Sequence, residues 1–252
     1  MQTKLTKLEK YWILYDVGNS AFTLLISTIF PIYFNSLSAA AGVEEVDYLA
    51  YWGYATSLAT LIVALLGPVL GTVADNRGYK KKLFAGSMGV GIAGLAVLWI
   101  PSSWLAFLAL FLLARVGYSV SLIFYDSMLT DVTEPQRMDQ VSSYGYAWGY
   151  VGSCIPFILS LVLVLFYEKL GITVQAAMGA AFLLNAVWWL ACSLPLLRNY
   201  RQKYYVEKRQ QQVIRSSFRQ LWQTLRKIQE KKKIFLFLVA CFFYIDSVYT
   251  NI

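Results

Sequence analysis

The sequence predicts an all-α protein that crosses a membrane many times, and three observations predict it. Hydrophobic residues make up 58% of the 252-residue chain and charged residues 14%, where a soluble domain carries roughly a quarter charged. The apolar residues are gathered into runs long enough to cross the hydrocarbon, which takes about 20 residues of helix. The basic residues fall almost wholly in alternate loops, as the positive-inside rule requires of a polytopic protein.

Seven spans are expected, near 11–36, 48–73, 83–100, 104–125, 142–166, 174–197 and 234–252. With the N-terminus in the cytoplasm, 20 of the 22 lysines and arginines lie inside, while Glu44, Glu45 and Asp47 lie outside. The net charge of +8 is therefore a topology signal rather than a nucleic-acid signal. The lipid bilayer is the expected partner, with no nucleic acid. Compact loops favour a bacterial inner (plasma) membrane. The organisation expected is a six-helix bundle over 1–197, a basic cytoplasmic linker over 198–233 and a seventh helix over 234–252. Within the linker, Val213, Ile214, Phe218, Leu221, Trp222, Leu225 and Ile228 recur at helical spacing between basic residues. That pattern reads as an amphipathic helix on the membrane surface.

Cys154, Cys192 and Cys241 fall inside apolar spans and read as small buried hydrophobes. No cysteine cluster and no histidine occurs, so no metal, redox centre or cofactor is expected. An enzyme is not expected either, because Ser–His and Cys–His pairs need a histidine and no nucleotide loop is present.

The first span carries polar residues that a lipid-facing helix would exclude. Asp16, Asn19, Ser20, Thr23 and Ser27 share one helical face. A carboxylate at that depth costs roughly 2.5–3.5 kcal/mol, so such groups face a bundle interior or a watery cavity. The hydroxyls read equally well as interhelical glue. For Asp16 a cavity role is favoured. The fourth span repeats the pattern with Arg115, Tyr118, Ser119, Leu122 and Asp126. Asp126 lies at its cytoplasmic end and Arg115 about 16 Å deeper. A buried arginine needs a carboxylate, a carbonyl or an anionic solute, and Asp16 is the nearest candidate, with Asp246 the other. The "YID" at 244–246 echoes "YD" at 15–16, as if the seventh helix repeated the first.

The most specific motif is "GTVADNRGYKKK", 71–82, where the second span leaves the membrane. Gly71 permits close helix contact. Asp75 can accept from N–H groups at the start of the third span or from an arginine. Gly78 makes a tight turn, and Lys80, Lys81 and Lys82 hold the hairpin inside. Gly145, Gly149, Gly152 and Pro156 form a small-residue ridge in the fifth span, and Gly67 with Gly71 a G-x-x-x-G in the second.

The loop at 71–82 resembles the signature loop of the major facilitator superfamily of secondary transporters, with Asn76 and Tyr79 replacing two basic positions. "LYDVGNSAF" (14–22), "IFYDSMLTDVTEPQRMDQVSSYGYAWGYVG" (123–152) and "FFYIDSVYT" (242–250) are similar to its vacuole-effluxer-like branch, named for yeast vacuolar amino-acid exporters of autophagy. The resemblance implies a major facilitator fold truncated after about seven of twelve transmembrane helices. It implies alternating-access transport of a small polar solute, amino acids among the candidates. The substrate or proton site would comprise Asp16, Asn19, Thr23, Arg115 and Asp246. Gly71, Asp75, Arg77, Gly78, Lys80 and Lys81 would form the conformational gate. Asp16 would couple protons or hold a solute amine, and a second half-chain is a candidate partner. The alternative is a truncated, non-transporting membrane protein: a half-transporter partner, a scaffold or a remnant.

Overall fold

The computed structural model describes residues 4–206, together with 226, 235–237 and 239–240. The surface helix expected around 213–228 lies outside the described residues but for Arg226, and of the seventh span only 235–237 and 239–240 are described.

Helix α1 (Lys7–Ser27) begins on a reciprocal cap. Thr6 Oγ1 accepts from Glu9 N, and Glu9 Oε2 accepts from Thr6 N at 2.7 Å. The expected unbroken first helix is corrected here: α1 stops, and α2 (Ile29–Ala40) restarts after Thr28. The cause is Pro31, which has no N–H and whose ring would strike the carbonyl of Ser27 in a continuous helix. In the first turn of a new helix that missing donor costs little. Ser27 and Thr28 then turn their hydroxyls back onto the carbonyls of Thr23 and Leu24, at 3.1 and 2.5 Å.

Four further long helices follow: α3 (Glu45–Ala74), α5 (Trp104–Val132), α6 (Met138–Leu165) and α7 (Val174–Asn199). With the α1–α2 pair they are long and apolar enough to cross a membrane. Helix α4 (Tyr79–Val97) is shorter and opens on three lysines. A 3-10 turn at Pro135–Arg137 joins α5 to α6.

Helix α1 packs on α6 and α7, α4 on α5 and α7, and α3 on α5. Small residues set the α4–α5 distance. A Cβ placed on Gly117 would stand 2.6 Å from the backbone nitrogen of Gly91, and one on Gly94 would stand 2.8 Å from Ala114 Cβ. Only glycine lets the two backbones meet there. Aromatic rings fill the middle: Phe22, Phe30, Phe111, Phe182 and Trp189 are buried and meet mostly edge to face or tilted. The flanks are the reverse. Helix α3 buries only Ala59 and Ala74, and α6 turns Trp148, Tyr150, Ile155 and Leu159 outward. Cys154 lies on that open side of α6, which corrects its reading as a buried residue, whereas Cys192 is buried. Cys241 lies outside the described residues.

Candidate functional site

Three hydrogen bonds fix the register of α1 against α5. Trp12 Nε1 donates to the Tyr125 carbonyl (3.1 Å), Tyr15 and Ser121 join hydroxyls (2.9 Å), and Thr23 and Tyr118 do the same (2.7 Å). This antiparallel pairing sets Asp16 opposite residues 120–121. Arg115 then lies roughly 8 Å beyond Asp16 along the axis, and Asp126 roughly as far on the other side.

That stagger overturns the expected Arg115–Asp16 pair. Asp16 makes no ion pair within 4 Å among the described residues; its Oδ1 accepts from Asn19 Nδ2 at 3.3 Å. The guanidinium of Arg115 instead lies 5.7 Å from the Tyr118 ring centroid, a cation–π contact. Asn19 is buried and also donates to the Tyr15 carbonyl. The other proposed partner, Asp246, lies outside the described residues.

Asp16 faces the glycine ridge of α6. A Cβ on Gly149 would stand 3.0 Å from both Asp16 Oδ2 and Ser20 Oγ, and one on Gly152 would collide with Val17 Cγ1. The ridge therefore seats α1 and leaves room for its polar face. Asp16 is half-buried and Asp126 exposed. Between them in sequence register stands Tyr125, stacked on Trp12 at 4.2 Å and 12°.

The signature loop is built differently from expectation. Gly78 takes φ +76 at the start of α4, the left-handed turn that glycine adopts without strain. A Cβ on Gly71 would meet nothing within 4 Å, so the expected close helix contact at Gly71 is absent among the described residues. The Asp75 side chain is exposed, and its carboxylate takes up neither partner the sequence suggested. Its backbone carbonyl accepts from Val206 N at 2.8 Å instead. Arg77 lies over the Tyr205 ring at 5.3 Å.

The charge that anchors this end is Asp131, which the sequence reading missed. It is fully buried at the end of α5, six residues past the expected span. Its carboxylate accepts from Lys80 Nζ (3.0 Å), Tyr200 OH (2.5 Å), Lys203 N (2.9 Å) and Tyr204 N (3.0 Å). Burial, then the bond to Asp131, pushes the Tyr200 phenol above its usual value of 10. Lys80 also donates to the Ser127 carbonyl, and Lys81 to that of Tyr200. Gln202 ties Gly78 N to the Ala74 carbonyl. Residues 200–206 are thus a strap across the α3–α4 turn. A second cluster joins Glu9 to Arg137 Nη2 (3.0 Å) and Thr133 Oγ1 (2.6 Å). The Thr6-x-x-Glu9 spacing was a legible signal for half of it.

Paired charges at the basic end, a polar α1–α5 face half-way through and apolar flanks define a polytopic membrane protein, and its similarity to an MFS-type transporter makes the fold that of the major facilitators. The family described as "Vacuole effluxer Atg22 like" matches residues 6–134 and 129–252, and the chain belongs to that family. It is 41% identical to "Uncharacterized MFS-type transporter YxiO" of Bacillus subtilis (strain 168), over all of this chain and 60% of that protein. The chain thus spans about 60% of the length of this relative.

Proposed function

We propose that the chain works in secondary active transport of a small polar solute by alternating access, with amino acids the first class to test. The observation that carries this reading is the α1–α5 face. Asp16, Asn19, Thr23, Tyr118 and Arg115 gather there, well inside a bundle whose outer surface is apolar. In lipid such a face is stable only against protein or water. Alternating access also needs a second bundle to rock against the first. The exposed faces of α3 and α6 suit that contact, made by a longer chain or a second half-chain. On this reading the basic end is cytoplasmic, the protein lies in the plasma membrane, and the 71–82 loop with its strap helps set which side is open.

The test is uptake of labelled amino acids into proteoliposomes under an imposed pH gradient. Asp16→Asn is expected to abolish gradient-driven uptake while the protein still folds. Unchanged uptake would remove Asp16 from the site, and no uptake of any amino acid by the parent protein would remove that substrate class.

A further inference from the structure

A cavity of about 790 Å³ lies at the basic end of the bundle, between the Glu9 cluster and the strap. Its size is that of a small-molecule site. One wall is the α1 cap and the turn into α6, with Thr6, Glu9, Glu134 and Arg137. The other is the strap, with Lys203 and Tyr204.

The charges of the lining are not equally free. Glu9 is 2% exposed, and its oxygens accept from Thr6 N, Thr133 Oγ1 and Arg137 Nη2, so it has little left to offer. The strap is pinned by its backbone, because Lys203 N and Tyr204 N both donate to Asp131. The Lys203 side chain is not pinned. It is exposed and makes no ion pair or hydrogen bond among the described residues. Arg137 gives Nη2 to Glu9 and to the Lys4 carbonyl, while its Nη1 donates to nothing among the described residues. Glu134 is exposed, and its carboxylate has no ion pair there. Helix α6 begins beside the cavity with no side chain capping its first turn, and a helix start adds partial positive charge.

We propose that this cavity binds a phosphoryl anion between Lys203 Nζ and Arg137 Nη1, joining the strap to the α1 cap. A phosphoryl group carries up to about two negative charges and three strong acceptor oxygens. Two cations with unused donors supply the counter-charge. They approach from opposite walls, which suits a tetrahedral group better than a planar carboxylate. At a membrane surface that chemistry has two sources, a soluble phosphate monoester and the headgroup of an anionic lipid. Glu134 opposes either one and so fixes the sign of one test. The site uses no residue of the α1–α5 face and stands apart from the transport reading.

The full chain in dodecyl maltoside, a detergent without phosphate, would be titrated with sodium glycerol 3-phosphate and, separately, with phosphatidylglycerol added to the micelles. Sodium chloride at matched ionic strength is the control. Tm by intrinsic fluorescence is the readout, since a ligand of the folded state raises it. A saturable rise is expected with at least one of the two. A rise with glycerol 3-phosphate makes the soluble anion sufficient, and a rise with phosphatidylglycerol alone assigns the lipid. Lys203→Gln keeps the backbone bond to Asp131 and should raise the half-saturating concentration about ten-fold, the size of a lost bond between charged groups. Glu134→Gln should lower it about two- to five-fold by removing a repulsion near the surface. Both side chains are exposed, so both variants should fold.

No saturable rise with either probe, or a rise matched by chloride, would overturn the proposal. So would an unchanged response in Lys203→Gln. A half-saturating concentration unchanged or higher in Glu134→Gln would overturn it too, because an anion in this cavity must feel that carboxylate. None of these readouts involves solute uptake, so failure here leaves the transport reading standing.

Discussion

The end of α5 where Asp131 lies and the middle of that helix treat charge in opposite ways. Where α5 ends, Asp131 is buried with four donors around it, and Lys80 is 5% exposed with that carboxylate and a carbonyl as partners. Nearby, Glu9 is 2% exposed and bonded to Thr6, Thr133 and Arg137. Further along the helix, Arg115 has a ring for company, while Asp16 on the facing α1 has an amide. A buried ion pair repays its desolvation only when its remaining hydrogen-bonding capacity is used, and the first region meets that condition. The second leaves charges of both signs uncancelled a turn and a half apart. The first region holds the fold; the second holds capacity for something that comes and goes.

The comparison breaks most visibly at Asp131. Asp131→Asn leaves Lys80 charged, buried and short of its counter-ion, and removing one partner of a buried pair costs about 3–5 kcal/mol. The expected outcome is a large fall in Tm or loss of a monodisperse peak in detergent. A small change would mean that Lys80 escapes to solvent and that the cluster is not the anchor.

Packing comes next. Gly152→Ala drives a methyl into Val17, and overpacking of this kind costs about 1–3 kcal/mol. Val17→Ala in the same chain should restore most of the lost Tm, because the two sites touch. If each change acts independently, α1 does not sit on the ridge as described.

Tyr200→Phe should cost less, about 1.5–3 kcal/mol for a bond to a charged group. The pH profile separates this bond from simple packing. The folded phenol lies above its unfolded value of 10, so its contribution is fully present below pH 10 and is lost as the pH rises past that point. Parent and variant should therefore converge in Tm above pH 10. A gap that stays constant would assign the effect to packing.

The smallest effect sharpens the contrast from the other side. Asp126→Asn changes an exposed side chain with no hydrogen bond or ion pair among the described residues and should shift Tm by less than about 0.5 kcal/mol equivalent. A large stability loss there would erase the difference between the two regions.

Much of the fold was legible because hydropathy and alternate-loop charge act along one chain. The helices that the structure describes fall within a few residues of the first six expected positions, except where local chemistry intervenes. Pro31 marks the break at Thr28, three residues before it, but the apolar run that continues on both sides hides it from hydropathy. Helix α5 runs on to Val132 through Thr130 and Asp131, which a hydropathy window discards as loop. The polar face of α1 was legible from spacing. Its partner was not, since the stagger between two antiparallel helices depends on which side chains meet across the interface. That is why Arg115 and Asp16 matched in type and missed in height.

The strap at 200–206 gives the chain beyond it a mechanical purchase. Lys203 N, Tyr204 N and Val206 N are tied by their backbones to Asp131 and Asp75. Tension applied downstream of Val206 is therefore delivered to the end of α5 and to the α3–α4 turn before it reaches α7. Three helices of the bundle share one tether, and slack or pull in the segment that follows is felt by all of them together.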